Sequence, residues 1–318
     1  MNTIYDVVIA GGGPAGLSAA MYAARANLKV LIIERDQNGG QINLTAMVEN
    51  YPGGLIGETG IALTERMVAQ CKSVGVEFIS AEIMKYSLDG DVKRVNTSDS
   101  EISAKAIILA TGRRSLSLDV PGEKEFVGRG VSYCATCDGP FFSGANVVVV
   151  GGGDSAIEEA IYLTKFARKV TVIHRRDALR AAKSLQDKAF ANDKIEFLMS
   201  SRILDIFGGD IVEKATVQNL ISGDISTIGI SADDWGLGVF VFIGHIPNTE
   251  PLVGQVELEN GYIITDEEMR TNIPGVFAAG DVRKKTLRQI VTAAADGAIA
   301  AVSADNYIGT HGVDFLYS

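Results

Sequence analysis

The stretch DVVIAGGGPAGLSAAMYAARANLKVLIIERD, residues 6–36, decides the fold. An apolar run leads into a glycine-rich turn at residues 11–16, a segment rich in small residues follows, and a second apolar run ends at Glu34. This order is typical of the strand–GxGxxG–helix–strand unit that binds a dinucleotide. The first glycine makes the tight turn, the second lets the backbone approach a pyrophosphate, and the third lets the helix pack closely on the strand.

The same pattern occurs a second time, as NVVVVGGGDSAIEEAIYLTKFARKVTVIHRRD at residues 146–177. The two stretches align without a gap at an offset of 140 residues. The glycine-turn positions that coincide are Gly11 with Gly151, Gly13 with Gly153, and Gly16 with Ala156. A single GxGxxG turn is a weak signal, but two copies in full strand context predict two nucleotide-binding domains of the Rossmann type in an α/β fold.

The two copies end in residues of opposite charge. Glu34 closes the first copy, where a carboxylate accepts hydrogen bonds from free ribose hydroxyls and repels a 2′-phosphate, so that site suits FAD or NAD. The second copy closes on His174, Arg175 and Arg176, with Arg180 four residues beyond. Guanidinium groups are fork-shaped donors for a phosphate, which favours NADPH at the second site.

The motif Cys134-Ala-Thr-Cys137-Asp138 lies between the two copies. Its order indicates a dithiol that passes electrons between a nicotinamide, a flavin and a disulfide, with Asp138 able to shuttle the proton that thiolate chemistry requires. A zinc site is the alternative, but the other thiol and imidazole groups, Cys71 and three histidines, are not closely paired in the sequence. No metal is therefore expected, and Cys71 is expected to be a core residue of a helix near 62–74.

Composition narrows the class of protein. The 318 residues allow two domains, and the net charge of −10 makes nucleic acid an unexpected partner. The apolar runs are shorter than the ~20 residues that span a bilayer, so no membrane association is expected. Three cysteines and the absence of a signal-peptide pattern favour a cytoplasmic protein.

The order of segments predicts one domain inserted into another. Residues 1–116 and 245–318 are expected to form a discontinuous FAD-binding domain, and residues 117–244 an NADPH-binding domain that includes the dithiol. Asp89-Gly90 predicts a hairpin turn, and a helix is expected from about Arg288 to Ala304. The basic run at 283–285 is expected to be a solvated turn.

These motifs together resemble the low-molecular-weight thioredoxin reductases over essentially the whole chain. The resemblance implies FAD in the outer domain, NADPH in the inserted one, a homodimer, and thioredoxin as the electron acceptor. It also implies that Cys137 faces the flavin, that Cys134 attacks the thioredoxin disulfide, and that Asp138 protonates the outgoing thiolate. Arg288 and Gln289 would lie close to the isoalloxazine, and Asp281 would hold the ribityl and pyrophosphate region.

The binding residues expected from the motifs and the resemblance form three sets. For FAD they are Gly11, Gly13, Pro14, Ala15, Gly16, Glu34, Gly40, Gln41, Asn50, Thr111, Gly112, Gly280, Asp281, Arg288, Gln289 and Ile290. For NADPH they are Gly151, Gly153, Asp154, Ser155, Ala156, His174, Arg175, Arg176, Arg180, Ile243 and Gly244. For docking of thioredoxin they are Arg129, Phe141 and Phe142, which could equally be a loop charge and core aromatics.

Three other functions fit parts of the pattern. A reductase of the same build could serve a glutaredoxin-like or peroxide-reducing protein, although the related peroxide-system flavoprotein has an extra dithiol domain. A ferredoxin-linked flavoprotein would dispense with NADPH, against which the second glycine turn and its arginines argue. A redox sensor without turnover would not need the Cys-x-x-Cys-Asp motif.

Overall fold

The computed structural model describes residues 4–45, 47–230 and 235–311, and these divide into two compact units. The first comprises residues 4–44, 48–114 and 246–311. The second comprises residues 115–230 and 235–245, and Thr45 and Met47 are grouped with it.

The described residues form mixed α/β structure. The strands are β1 Ile4–Ala10, β2 Val30–Glu34, β3 Glu77–Ser80, β4 Ile83–Ser87, β5 Lys93–Thr97, β6 Glu101–Leu109, β7 Arg113–Ser115, β8 Val131–Ser132, β9 Asn146–Val150, β10 Lys169–Ile173, β11 Ile195–Leu198, β12 Ser201–Gly208, β13 Val212–Asn219, β14 Ile225–Gly229, β15 Gly238–Val241, β16 His245–Pro247, β17 Leu258–Glu259, β18 Tyr262–Ile263 and β19 Val276–Ala278. The α-helices are α1 Pro14–Arg25, α2 Gly60–Ser73, α3 Ala135–Asp138, α4 Asp154–Leu163, α5 Lys183–Phe190 and α6 Ile290–His311. Short 3₁₀ helices are Gly40–Leu44, Gly139–Phe142, Glu250–Leu252 and Gly280–Val282.

The first unit is built on a mixed sheet with the order β3-β2-β1-β6-β5-β4. Strands β1, β2, β3 and β6 are parallel, whereas β4 and β5 form the antiparallel hairpin expected at Asp89-Gly90. Strand β19 pairs in parallel with the end of β6, so the late part of the chain returns to this sheet. Alternate residues of β1 enter different cores, with Val7 and Ile9 on the side of α1 and α6, and Val8 on the opposite side.

The second unit has an all-parallel sheet with the order β11-β10-β9-β15-β8. Both faces of this sheet are covered, which explains the run of four valines in β9. Val147 and Val149 pack with α4 on one face. Val148 and Val150 pack on the other face with the antiparallel sheet β12-β13-β14. The two units thus have the predicted α/β class with Rossmann-like sheets.

The chain passes between the two units within β7 and again within β16. In the second unit, the amide of Leu116 donates to the carbonyl of Gly244. In the first unit, the amide of Asn248 donates to the carbonyl of Gly112. No helix in the described part of the chain has the length and apolar character needed to cross a bilayer.

Candidate active site

The first glycine turn has the backbone geometry that a bound pyrophosphate requires. Gly11 has a φ of +109°, and a Cβ there would lie 2.3 Å from the carbonyl oxygen of Ala110. A Cβ on Gly16 would lie 1.9 Å from the carbonyl oxygen of Gly11, which shows how closely α1 crosses β1. Gly13, the N-cap of α1, has no atom within 4 Å of its Cβ position. The helix N-terminus at Pro14 and Ala15 therefore begins at an open face, where amides attract an anion.

Glu34 ends β2 beside this turn. Its Oε2 accepts a hydrogen bond from the amide of Gly12 at 2.7 Å, and its Oε1 accepts one from the amide of Asp36 at 3.1 Å. The carboxylate is fixed by these two bonds, and each oxygen keeps further acceptor capacity for a ribose hydroxyl.

The other expected FAD residues lie in the same unit and are tied together by polar contacts. Gln41, in the 3₁₀ helix that begins at Gly40, donates through Nε2 to the carbonyl oxygen of Arg113. The hydroxyl of Thr111 donates to the carbonyl oxygen of Asn248 at 2.8 Å. Asn50 donates a hydrogen bond to Oε1 of Gln289 at 3.0 Å, and Gln289 is the residue immediately before α6, which begins at Ile290.

Asp281 gives the clearest sign that this unit fits a hydroxylated ligand. Its Oδ1 and the Nε of Arg113 are buried, and neither has a hydrogen-bond partner among the described residues. The Nε lies 3.7 Å from Oδ2 of Asp281. Burial raises the pKa of Asp281, while the charges of Arg113, Lys285 and Arg288 lower it. Buried polar atoms without partners are uncommon in folded proteins, and ligand hydroxyls would satisfy these.

Arg288 is fixed above an aromatic ring. Its guanidinium carbon lies 4.2 Å from the centroid of the Tyr262 ring, and its Nη2 donates to the carbonyl oxygen of Arg283 at 3.1 Å. Gly280, at the start of the turn that precedes Arg288, has a φ of +79°, and a Cβ there would lie 2.8 Å from the Cβ of Ala15. The Gly280 turn thus packs directly on the start of α1.

Asp296 is a residue of this site that sequence analysis missed. Its Oδ2 accepts from the amide of Gly280 at 3.0 Å, from Nη1 of Arg283 at 3.0 Å and from Nζ of Lys285 at 2.7 Å. The side chains of Arg283 and Asp296 are only 10% and 11% exposed. The expectation of a solvated basic turn at 283–285 is therefore wrong, because two of its cations pair with a buried acid. An aspartate within the alanine-rich segment AAADGAIAA was the available signal.

The second glycine turn repeats the first with one change. Gly151 has a φ of +150°, and its Cβ would lie 2.4 Å from the carbonyl oxygen of Phe242. Gly153, the N-cap of α4, again has no atom within 4 Å of its Cβ position. Ala156 replaces the third glycine, and its methyl group is buried. The first turn of α4, with Asp154 and Ser155, thus starts at a second open face.

The basic segment after β10 is tied to this turn. His174 is 4% exposed, and its imidazole packs against Gly152, so close that a Cβ there would meet Nδ1 at 2.4 Å. The amide of Arg180 donates to the carbonyl oxygen of Gly152 at 2.7 Å. Burial lowers the pKa of His174, and the charges of Arg180, Arg176 and Arg175 lower it further. The histidine is thus a neutral packing residue at neutral pH, while the three arginines are exposed.

Near the end of the second unit, Ile243 and Gly244 follow β15 after one intervening residue, Phe242. Gly244 has a φ of +136°, and a Cβ there would lie 3.1 Å from Cδ1 of Leu116. This conformation requires glycine at the carboxyl end of a parallel strand, the edge at which ligands bind in open α/β sheets.

Cys134 and Cys137 form a disulfide around the short helix α3. Cys134 is the N-cap of α3, and its Sγ accepts a hydrogen bond from the amide of Cys137 at 3.2 Å. Both cysteines are half-buried, and Thr136 between them is exposed. The disulfide is therefore accessible on one side and supported by a helix N-terminus on the other, where the amide dipoles stabilise a thiolate.

Asp138 ends α3 and is held by a residue that sequence analysis missed, Ser132. The Ser132 hydroxyl donates to Oδ2 of Asp138 at 2.5 Å. Burial raises the pKa of Asp138, and this hydrogen bond lowers it. The carboxyl next to the disulfide thus holds a proton to a higher pH than an ordinary aspartate, as a general acid requires. The only sequence signal for Ser132 was a hydroxyl two residues before the first cysteine.

The candidate docking residues differ in exposure. Arg129 is exposed, and its Nη2 donates to the carbonyl oxygen of Glu125 at 2.7 Å. Phe141 is half-buried. Phe142 is 4% exposed and packs between the rings of Trp235 and Phe240, with centroids 5.2 and 5.4 Å away. Phe142 is therefore a core residue of the second unit rather than a docking residue.

The remaining cysteine, Cys71, is a core residue of a helix, as the sequence predicted. Cys71 is 1% exposed in α2, within the core of the first unit, and burial raises its pKa to about 11. Among the described residues no group of three or more His, Cys, Asp or Glu side chains is arranged to hold a metal ion. The side chain of His311 lies outside the described part of the structure.

Comparison with known proteins agrees with this arrangement. Residues 5–297 match the model of the family described as pyridine nucleotide-disulphide oxidoreductase. The chain is 52% identical over 309 residues to a thioredoxin reductase of Peptoclostridium acidaminophilum, covering 97% of this chain and 98% of that protein. It is 47% identical over 308 residues to the thioredoxin reductase of Bacillus subtilis strain 168, covering 96% and 95%.

A solved structure is similar over the same length. The thioredoxin reductase from Streptococcus pyogenes MGAS5005 matches with a TM-score of 0.92 and 48% identity, covering 98% of this chain and 100% of that one. The chain therefore belongs to the pyridine nucleotide-disulphide oxidoreductase family, an oxidoreductase family whose membership implies a flavin and a nicotinamide nucleotide as cofactors.

Proposed function

We propose that the protein is an NADPH-dependent thioredoxin-disulfide reductase, which passes electrons from NADPH through FAD and the Cys134–Cys137 pair to oxidised thioredoxin. The observation that carries this proposal is the half-buried disulfide with Asp138 beside it, in the same unit as a glycine turn and three exposed arginines. The names of the full-length relatives support the same acceptor.

FAD is proposed for the first unit. The fixed carboxylate of Glu34 suits the unphosphorylated ribose of the adenosine, and the open face at Gly13 suits the pyrophosphate. The partnerless Oδ1 of Asp281 suits a ribityl hydroxyl, with Arg288 and Gln289 nearby in sequence to line the isoalloxazine. When bound, the flavin supplies two-electron exchange between the nicotinamide and the dithiol.

NADPH is proposed for the second unit. The open face at Gly153 and the amides at the start of α4 suit the pyrophosphate. Arg175, Arg176 and Arg180 offer planar donors to a 2′-phosphate, and none of them is buried. His174 supports this segment by packing on Gly152 rather than by adding a charge.

The dithiol acts by ordinary thiol–disulfide exchange. Cys137 is proposed to receive the two electrons when the Cys134–Cys137 bond breaks, and Asp138 gives a proton to the outgoing Cys134 thiolate. The Asp138 carboxylate takes this proton back, and the Cys134 thiolate attacks one sulfur of oxidised thioredoxin, which forms a mixed disulfide and releases the second thioredoxin sulfur as a thiolate. Cys137 then attacks the Cys134 sulfur, which restores the internal disulfide and frees reduced thioredoxin.

Three further assignments complete the proposal. Thioredoxin would dock against Arg129, which is exposed, and against Phe141, which is half-buried and follows the dithiol motif in the chain. The protein would work as a homodimer, as the resemblance to its family implies. A cytoplasmic location is proposed from the low cysteine content, since a buried free thiol such as Cys71 is typical of reducing compartments.

A steady-state assay with two donors and several acceptors tests the function. The purified enzyme is supplied with NADPH or NADH, and with oxidised thioredoxin, a glutaredoxin or a peroxide-reducing dithiol protein as acceptor. We expect rapid oxidation of NADPH when thioredoxin is the acceptor but not with the other two acceptors. The Cys134→Ser variant should show no oxidation of NADPH with any acceptor. Faster turnover with either of the other acceptors, or with reduced ferredoxin in place of NADPH, would assign the enzyme to one of the alternative reductases.

A further inference from the structure

Ser132 lies at the base of the redox site and contacts both of its parts. It is the last residue of β8 and is 4% exposed. Its hydroxyl donates to Oδ2 of Asp138 at 2.5 Å and accepts from the amide of Cys134 at 3.1 Å. The same hydroxyl could also donate to the carbonyl oxygen of Cys134 at 3.3 Å, but its single hydrogen is directed to the much closer Oδ2 of Asp138. One buried hydroxyl thus connects the backbone of the first cysteine to the carboxyl of the proposed acid.

The two oxygens of the Asp138 carboxyl have different surroundings. Oδ2 is held by Ser132, whereas Oδ1 is buried and has no hydrogen-bond partner among the described residues. With the Ser132 hydrogen directed at Oδ2, a proton on the carboxyl belongs on Oδ1. The hydrogen bond therefore selects which oxygen carries the transferable proton and fixes the direction in which it points.

We propose that Ser132 is a positioning residue for the dithiol reaction, which fixes the Asp138 carboxyl through Oδ2 and leaves Oδ1 free to carry the proton. This inference rests on the proposed function in so far as Asp138 is the acid of that reaction. Ser132 itself exchanges no proton or electron with the substrate.

The step that Ser132 supports is the reduction of the Cys134–Cys137 disulfide. Two electrons, delivered from NADPH, break the Cys134–Cys137 bond and leave two thiolates. One proton then moves from Oδ1 of Asp138 to Sγ of Cys134, which becomes a thiol, while the carboxyl becomes a carboxylate. The hydrogen bond from Ser132 to Oδ2 is stronger to that carboxylate than to the neutral acid, so it favours proton release.

The surroundings of Asp138 make this hydrogen bond important. Burial raises the pKa of Asp138, and the Ser132 hydrogen bond is what lowers it again. Helix α4 packs against α3 and contains the ionisable residues Asp154, Glu158, Glu159 and Tyr162, but none of them is a cause of the pKa shift of Asp138. Without Ser132 the carboxyl would hold its proton more tightly and would lose its fixed orientation.

Three variants of the flavin-loaded enzyme test the proposal. Ser132→Ala removes the hydroxyl, and Ser132→Thr restores it. Tyr133→Phe is the matched control, because it removes the adjacent hydrogen bond from Tyr133 to Glu123 without touching Asp138. Each enzyme is mixed with one equivalent of NADPH at a series of pH values, quenched by alkylation, and scored for new thiols on Cys134 and Cys137.

We expect disulfide reduction in Ser132→Ala to be about 10-fold slower at neutral pH, because Asp138 remains as the proton donor but loses its fixed orientation. The midpoint of its pH–rate profile should move upward by about one unit, since a hydrogen bond to a charged group is lost. Ser132→Thr should restore the wild-type midpoint, and Tyr133→Phe should keep it. An unchanged rate and midpoint in Ser132→Ala, or equal changes in Ser132→Ala and Tyr133→Phe, would overturn the proposal.

A second readout needs neither NADPH nor thioredoxin. Infrared difference spectra of the oxidised enzyme follow the carboxylic acid band of Asp138 with pH, and Asp138→Asn identifies that band. The band should persist to higher pH in Ser132→Ala than in wild type or Tyr133→Phe, and coincident titrations would contradict the inference. Neither readout uses the acceptor protein. Failure of the thioredoxin assay would therefore count against the proposed function alone, and the role of Ser132 would be decided by these two readouts.

Discussion

The two glycine turns share a backbone and differ in charge. Gly11 and Gly151 approach a carbonyl oxygen of a neighbouring strand almost identically, with Cβ positions 2.3 and 2.4 Å away. Both second glycines leave an open face at a helix start. At the aligned end of the second strand, however, one copy has a hydrogen-bonded carboxylate and the other a buried histidine followed by exposed arginines.

Under the proposed assignment of FAD and NADPH, pyrophosphate binding and nucleotide choice are separate properties of the same unit. Pyrophosphate binding depends on the backbone conformation of the glycine turn, which tolerates little change. Nucleotide choice depends on the side chains that follow β2 and β10, which can be exchanged without altering the turn. Substitutions in the glycine turn and substitutions in the charged residues after the second strand of each copy should therefore have different effects.

The largest effect is expected at the charged end of the second copy. Replacing both Arg175 and Arg176 by alanine should raise the KM for NADPH by one to several orders of magnitude, because each charge-assisted contact contributes about 1.5–3 kcal/mol. The KM for NADH should hardly change. Steady-state kinetics with both nucleotides measure this preference.

Arg202, an exposed arginine on β12 of the same unit, is the matched control for charge, and Arg202→Ala should leave both KM values unchanged. Equal use of NADH and NADPH by the unaltered enzyme would remove the basis for assigning the arginines to a 2′-phosphate.

The next effect concerns the turn that presents Asp281 in the first unit. Asp296→Asn should lower the free energy of unfolding by about 3–5 kcal/mol, because it leaves the buried Arg283 and Lys285 without their counter-charge. It should also weaken FAD binding, since the amide of Gly280 loses a carboxylate acceptor. Urea unfolding and the fluorescence of released flavin measure the two consequences.

Asp305→Asn, in the same helix α6, changes the same charge at a half-buried site and serves as the control. Retention of both stability and flavin in Asp296→Asn would show that the Gly280 turn does not depend on this acid.

A smaller effect is expected from exchanging the third residue of the two turns. Gly16→Ala should cost about 1–3 kcal/mol by overpacking, because the new methyl would meet the carbonyl oxygen of Gly11 at 1.9 Å. FAD affinity should fall with it. The reciprocal Ala156→Gly should cost only about 1 kcal/mol of helix stability. If both substitutions had the same effect on unfolding, the closer helix–strand crossing in the first copy would have no energetic importance.

The smallest effect concerns two carboxyls whose pKa is raised by burial, Asp138 in the second unit and Asp281 in the first. Asp138 has a pKa raised by burial, so its ionisation in the folded state opposes folding once the pH exceeds the pKa of the unfolded chain. Asp138→Asn should therefore stabilise the protein slightly at neutral pH, and the gain should vanish under acid conditions where both states are protonated. Asp281→Asn should gain less, because the charges of Arg113, Lys285 and Arg288 already favour the ionised form.

Thermal unfolding of both variants across pH measures this difference. A gain for Asp138→Asn that grew as the pH fell would have the wrong sign for the argument.

The local sequence pattern predicted those structural features that depend only on residues close together in the chain. The glycine turns, the hairpin at Asp89-Gly90 and the core position of Cys71 follow from periodicity and from the conformations that glycine allows. The predicted helices near 62–74 and 288–304 are observed as Gly60–Ser73 and Ile290–His311, and the first of them begins after the N-cap Thr59, whose hydroxyl accepts a hydrogen bond from the amide of Ala62.

Contacts between distant residues could not be predicted in this way. The basic run at 283–285 has the composition of a solvated turn, and only the fold brings its cations to Asp296, 11 residues from Lys285. Ser132 lies six residues before Asp138, and the turn of α3 is what brings their oxygens together. Phe142 is buried because Trp235, almost 100 residues later, stacks on it.

The central claim is that electrons pass from NADPH to a protein disulfide by way of FAD and the Cys134–Cys137 pair. An anaerobic absorption titration of the flavin-loaded enzyme tests it most directly. The yellow colour should bleach on addition of NADPH and recover on addition of oxidised thioredoxin, whereas Cys134→Ser should bleach and fail to recover. Recovery of the colour by thioredoxin in Cys134→Ser, or a wild-type enzyme that NADPH leaves yellow, would contradict the account.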